Sequence, residues 1–372
     1  IFGHYGDRVG RKTMLVISLM MMGIATFLIG LLPTTETIGI WAPVLLVVLR
    51  MFQGLGVGGE WGGAVLLAVE HSPPERRGFY GSWPQMGVPA GLLLGNVALL
   101  PFASLLPQEQ FLAWGWRVPF LASIILIGVG LYVRLRIMES PAFRQVQESH
   151  TEAEMPIVDV VRYYPRNVIL AMGMRIAENG IFYVLTVFVL DYVTRELGLS
   201  RGTALLGVII AAAVGLFTTP FFGWLSDRVG RRPVYMFGAV FSLIFAFPFF
   251  MLLDTKTSVL IWLAVVLGIA LGHDPMYGPQ AAYFSELFGT RLRYSGASLG
   301  YQLASIVGGG ISPLIATSLL ALWGGHWLLI ALYTAGLSVI TIVATYLASE
   351  TYQEDITAER PEARAAVAGE PG

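Results

Sequence analysis

Apolar residues run along this chain in long unbroken blocks, not in strict alternation or short amphipathic bursts. Ten blocks reach the roughly 20 residues that an α-helix needs to cross bilayer hydrocarbon. They lie near residues 13–33, 42–69, 79–103, 115–136, 167–191, 203–224, 233–253, 258–285, 295–320 and 326–348. Such blocks predict spanning helices, because a backbone in lipid must satisfy its own polar groups. Residue 1 opens directly on a short polar, basic stretch, so no signal peptide is expected ahead of the first block. Residues 350–372 lack apolar periodicity and are expected to be a disordered tail.

The polar loops divide by charge. Loops around Arg8–Lys12, Arg76–Arg77, Arg134–Arg166, Arg228–Arg232, Arg291–Arg293 and Arg360–Arg364 hold most of the 23 Lys and Arg. The alternate loops and their helix edges hold Arg117, Arg195, Arg201 and Lys256. Basic loops stay on the cytoplasmic side. Both termini are therefore expected in the cytoplasm of a multi-pass protein of the plasma membrane. The stretch 138–165 is the one sizeable internal loop, and it divides residues 1–137 from 166–349.

Composition sharpens this. The 372 residues are 55% hydrophobic and 13% charged, with mean hydropathy +0.69. A soluble domain carries about 25% charged residues. The 24 acids nearly balance the bases, which argues against a nucleic-acid partner. With no cysteine, disulfides, thiolate metal sites and cysteine nucleophiles are excluded. The five histidines are too scattered for a local metal motif, so no metal or cofactor is expected.

The chain also repeats itself. DRVGR runs from Asp7 to Arg11 and again from Asp227 to Arg231. Glu70 precedes Arg77, and Glu286 precedes Arg293, at the same spacing. The second half carries two spans ahead of its DRVGR; the first carries none. The symmetry predicts twelve helices in two six-helix halves, ten of them present here, the four in 1–137 being an incomplete half. Paired helical repeats around a central site are a transporter architecture.

These motifs carry a family resemblance. GHYGDRVGRK (Gly3–Lys12) and GWLSDRVGRR (Gly223–Arg232) resemble the signature loop of the major facilitator superfamily, and RMFQGLGVGG (Arg50–Gly59) resembles its fourth-helix motif. The paired Glu and Arg elements and ESPAF (Glu139–Phe143) are similar to those of its sugar- and metabolite-porter branches. GVGGEWGGA (Gly56–Ala64) and WRVPFL (Trp116–Leu121) look like the metabolite:proton symporter family. The resemblance implies an all-α integral membrane protein of that fold. It also implies alternating-access symport of a small organic anion or zwitterion with a proton, by a monomer. A sugar porter or uniporter of the same fold, and a non-transporting fragment or membrane sensor, are the alternative readings. The first helix of that family, which holds acids implicated in proton coupling, has no counterpart here.

Two residue groups are candidates. Asp7, Arg8, Arg11, Glu70 and Arg77 in the first half, with Asp227, Arg228, Arg231, Glu286 and Arg293 in the second, suit a cytoplasmic gate. There Arg11 would pair with Glu70 and Arg231 with Glu286, while each Asp meets a helix N-terminus. Plain positive-inside anchoring is the other reading. The second group lies inside spans, where a charge is costly and by default functional. Arg50 and Arg175 offer cations to a carboxylate. Glu60, Glu178 and the His273–Asp274 pair are candidate titrating groups. Arg175, Asn179, Tyr183 and Thr186 form a stripe at helical period, expected to face a wet cavity. Gln85 and Gln302 add neutral hydrogen-bonding groups. HDPMYGPQ (His273–Gln280) predicts a helix break. Gly54, Gly58 and Gly62 read as a helix-packing face. GLGVGG (Gly54–Gly59) and GASLG (Gly296–Gly300) spell enzyme motifs but lie inside spans, where neither has its strand.

Overall fold

Each apolar block folds as a helix long and apolar enough to cross a membrane: α1 (Lys12–Leu31), α2 (Trp41–Glu70), α3 (Pro74–Phe102), α4 (Gln108–Arg136), α5 (Pro165–Glu196), α6 (Arg201–Val229), α7 (Arg231–Asp254), α8 (Ser258–Glu286), α9 (Arg293–Leu322) and α10 (Leu328–Leu347). This computed structural model describes residues 5, 11–136, 156–352 and 354, without the side chains of 11, 103, 104 and 291. Asp7, Arg8, the Arg11 side chain, Glu139–Phe143 and nearly all of the expected tail lie outside the described residues. No strand occurs among the described residues. Below, α1–α4 are the first half and α5–α10 the second.

Several helices outrun their apolar blocks. α3 starts at Pro74 and α4 at Gln108, each in a polar turn capped by a preceding proline. The first amides of a helix have no internal partner, so a polar first turn is satisfied best at the membrane edge. The break predicted at HDPMYGPQ is absent, and α8 is continuous. Gly268–His273 winds as a π-helix, and Pro275 falls in the first turn after it. The change from π to α winding interrupts the regular hydrogen-bond ladder at this point, where a proline disturbs less than in an unbroken α-helix.

Burial separates the two halves. Two-thirds of the most apolar stretch of α5 is inside the protein, and none of that of α4. α4 lays one side on α1, where Ile127 meets Gly23, and buries no side chain of that stretch fully; much of α2 is open too, with Val44, Leu45 and Val47 exposed. One apolar cluster joins the halves. Trp61, Val65 and Val69 of α2 pack with Ala281, Ala282 and Phe284 of α8 and with Tyr235 of α7. A second cluster, around Phe188, Phe249, Phe250 and Ile330, lies within α5–α10. Hydroxyls at depth bond back to their own helix, as Thr186 does to the Phe182 carbonyl and Ser305 to that of Tyr301.

Glycines set how near the halves come. A Cβ on Gly78 of α3 would collide with the Gly223 carbonyl oxygen of α6 and with Nη1 of Arg231. The two helices thus touch backbone to backbone. The glycine face of α2 behaves less uniformly than the sequence predicts. Gly62 packs on Tyr294 and Ser298 of α9, whereas Gly54 and Gly58 meet nothing within 4 Å. They border an open groove with Ser298, Gln302 and Ile306.

Candidate functional site

A buried charge cluster sits where α5, α8 and α9 meet. α5 brings Arg175 and Glu178 onto one face because they are one helical turn apart. They form an ion pair, and both are at most 5% exposed. Arg175 also donates to Gln280 Oε1 of α8 (2.9 Å) and to Ser305 Oγ of α9 (3.2 Å). The π-helical turn of α8 ends on His273 and aims its ring at the same carboxylate. His273 Nε2 lies 3.0 Å from Glu178 Oε1, and Nδ1 lies 2.8 Å from Asp274 Oδ1. Thr218 of α6 donates to the other oxygen of Asp274. Gln280 donates to Tyr235 Oη of α7 (2.8 Å), which donates on to the Met174 carbonyl (3.1 Å).

An ionised carboxylate only accepts hydrogen bonds. Both ring nitrogens of His273 face carboxylate oxygens, so both contacts are satisfied together when the trio carries one proton more than a neutral imidazole and two carboxylates. Beside it, a small cavity of about 20 Å³ lies between the halves, walled by Pro89 and Leu92 of α3 and by Phe182, Thr186, His273 and Asp274.

The first half reaches this cluster through aromatic and amide contacts. Trp61 stacks on Tyr301 with centroids 3.6 Å apart. The Arg175 guanidinium carbon lies 3.2 Å from the same Tyr301 centroid. Trp61 Nε1 donates to Gln85 Oε1 (2.7 Å), and Gln85 Nε2 donates to the Tyr277 carbonyl (3.1 Å).

A second constellation closes the end that carries the basic loops. Asp227, at the end of α6, accepts from the Gly78 and Phe79 amides at 2.8 Å each. These amides belong to the helical turn that begins at Arg77, so one carboxylate caps a helix of the other half. Arg231 pairs with Asp227 (2.6 Å) and Glu286 (3.0 Å). Arg293 pairs with Glu70 at 2.8 Å. The structure thus gives Glu70 a partner in the opposite half; the expected pairing with Arg11 falls on a side chain outside the described residues. The symmetric elements interleave at this end because the last residue of α2 meets the first of α9. Arg77 donates to the Glu354 carbonyl (3.0 Å), while Arg228 stacks on Trp224 at the surface. The segment after α10 inserts into the same end. Glu350 accepts from the Arg231 and Arg232 amides, and Thr351 donates to Glu286 Oε2 (2.7 Å).

Other expected positions fall elsewhere. Arg50 is exposed on α2, away from the cluster. Glu60 forms an ion pair with Arg134 of α4, inside the first half. Asn179 and Tyr183 turn toward Gly309 of α9, where a Cβ would crowd both. The expected stripe therefore splits, with Arg175 in the cluster and Thr186 on the cavity wall. Gln302 reaches the Gly58 carbonyl at 3.5 Å. Sequence reading missed Trp61, Thr218, Tyr235, Tyr301 and Thr351. Each is a common residue type whose partner lies on another helix, and nothing local marks it.

Comparisons with known proteins agree on the family. Residues 1–301 match the family model described as the Major Facilitator Superfamily. The chain is 42% identical over 353 residues to the shikimate transporter of Escherichia coli (strain K12), covering 94% of this chain and 81% of that one. It is 34% identical over 372 residues to the proline/betaine transporter of the same organism, covering 97% and 74%. In three dimensions it resembles the proton:xylose symporter XylE bound to 6-bromo-6-deoxy-D-glucose. The TM-score is 0.76 at 19% identity, over 95% of this chain and 84% of that one, a likeness of fold.

Proposed function

The chain belongs to the Major Facilitator Superfamily and is a multi-pass secondary transporter related to metabolite transporters, and from that premise we propose that it carries a small organic anion or zwitterion together with a proton. The observation that carries this is His273 held between Glu178 and Asp274, with Arg175 on the far side of Glu178. His273 seats the proton. Arg175 anchors the cargo's carboxylate, which displaces Glu178 from the guanidinium. Relatives that transport shikimate and proline or betaine support a carboxylate-bearing cargo.

Charge ties the two events together. Arg175, Glu178, Asp274 and a neutral His273 sum to −1, and one proton brings the set to zero. An unpaired charge at mid-membrane costs about 3 kcal/mol or more. A monoanion entering the unprotonated set would leave two net negative charges there; with the proton present it leaves one. Cargo and proton therefore favour each other's binding, as symport requires. The contacts of Asp227 with the Gly78 and Phe79 amides and of Glu70 with Arg293 cross between the halves and hold the basic end shut, with Arg231 and Glu286 bracing Asp227 from the second half. That end is the cytoplasmic one on the positive-inside rule. Opening it, with closure of the opposite end, completes alternating access between two six-helix halves.

Purified protein in sealed vesicles tests this. Shikimate, proline and glycine betaine are each offered under an inward proton gradient. We expect accumulation of at least one, collapsed by a protonophore. His273→Gln should lose accumulation yet keep exchange of labelled for unlabelled cargo. Accumulation that survives a protonophore, or a His273→Gln variant that still concentrates cargo, sinks the reading.

A further inference from the structure

An aromatic ring has two faces. Trp61 lies 3.6 Å from the Tyr301 centroid and the Arg175 guanidinium carbon lies 3.2 Å from it. Two groups that close cannot share a face, so Tyr301 is sandwiched between them. The layers come from different halves: Trp61 from α2, Tyr301 from α9, Arg175 from α5. All three are buried, Trp61 at 9%, Tyr301 at 7% and Arg175 at 5% exposure. Two of the three nitrogens of Arg175 are occupied as well, Nε by Ser305 and Nη1 by Glu178 and Gln280. While the stack stands, Tyr301 covers a face of the guanidinium and Nη2 alone is left for an incoming carboxylate.

Trp61 is itself held in place. Its indole N–H donates to Gln85, and Gln85 donates to the Tyr277 backbone of the second half. The stack therefore depends on the halves being together at this level. When they part, Tyr301 loses one of its two packing faces. The remaining guanidinium–ring attraction is the weaker constraint, since an arginine that gains a carboxylate exchanges it for a charge-assisted pair.

We infer that Tyr301 is a positioning residue, a lid that keeps Arg175 covered while Trp61 presses on it and yields Arg175 to an anionic group once the halves separate. This rests on the reading of Arg175 as the cargo's anchor. It adds the reason that cargo is taken up in one rocking state and not at random: the anchor's availability is set by a contact that crosses between halves. Tyr301 need not touch the cargo, and Trp61 acts through Tyr301.

The absence of native cysteine allows a direct test. Gln280, buried and 2.9 Å from Arg175, is replaced by cysteine (Gln280→Cys) as a reporter of that compartment. Its thiol is labelled with the anionic methanethiosulfonate ethylsulfonate and with the cationic ethyltrimethylammonium analogue, in nanodiscs without cargo. Trp61→Ala and Tyr301→Ala, each combined with the reporter, should label at least tenfold faster. Trp61→Phe and Tyr301→Phe, which keep the stack, should match the parent reporter. The anionic reagent should outpace the cationic one several-fold in the alanine variants, through the field of Arg175. Equal rates in alanine, phenylalanine and parent proteins overturn the lid, and so does acceleration by phenylalanine as large as by alanine. Acceleration without charge preference supports the lid and overturns the anchor reading on which it rests. The two alanine variants are independent, so misfolding of one leaves the other decisive.

Discussion

Taking away the Arg175 guanidinium strands Glu178, a buried carboxylate whose other neighbours are an imidazole and an amide. Breaking one side of such a pair costs about 3–5 kcal/mol, and removing both sides costs less. Arg175→Gln should therefore lower the melting temperature in detergent by several degrees, and Glu178→Gln likewise. The double variant should melt above the lower of the two, with a coupling energy of about 1–3 kcal/mol. Additive losses would mean that the two side chains act independently. The cluster was half legible in the sequence. Arg175 and Glu178 are a turn apart, and His273 and Asp274 are adjacent, so local spacing joins them. What spacing does not give is which helix faces meet. Gln280 and Tyr301 lie over 100 residues from Arg175, and Trp61 reads as one aromatic in a glycine-rich run. Two other charges inside spans stand apart from the cluster: Glu60 pairs with Arg134, and Arg50 is exposed on α2.

Where α3 meets α6 the controlling feature is a helix end. Asp227 satisfies two first-turn amides of the opposite half and gains from the helix dipole there. Asp227→Asn keeps the shape, but its amide nitrogen cannot accept, so one of the two bonds is lost and the other weakened, at about 1–3 kcal/mol in all. Gly78→Ala acts differently, forcing α3 off the Gly223 carbonyl and Arg231. Both should open the basic end. The measure is labelling of Ser82→Cys, which is fully buried beside Gly223. Maleimide should reach it several-fold faster in either variant, and an unchanged rate would show that the cap does not hold this end. Thr351→Val removes one hydrogen bond to Glu286 and should act in the same direction but more weakly. The repeated DRVGR announced this element from sequence, because a duplicated loop implies a duplicated role. The interleaving of Glu70 with Arg293 was hidden, since a repeat shows what corresponds and not what touches. The π-helical turn before Asp274 was hidden too. It lets Pro275 pass without a break, and residue type alone does not encode it.

At the scale of the molecule the ten spans were readable outright, because lipid leaves a helix no alternative and their lengths match the bilayer. Their arrangement has a further consequence. Arg175, Glu178, His273 and Asp274 all stand on α5 and α8, in one half, and are bonded to one another. They travel as a set when the halves rock. Protonated, the set is neutral, and the membrane voltage exerts no net pull on it. Unprotonated, it carries −1, and crossing the full field is worth about 2.3 kcal/mol per 100 mV. For a zwitterionic cargo the loaded step is thus blind to voltage and the empty return is not. An inside-negative potential drives that return outward. Transient currents on a supported membrane should show inward current with a zwitterion whose maximal rate, not half-saturating concentration, follows voltage. A monoanion carried with one proton should give no net current over the cycle, because the loaded and the empty carrier each hold −1 and move in opposite directions. On the proposed symport the protein works as a battery-reset switch: the cell's potential recharges the empty carrier, and the proton gradient loads it.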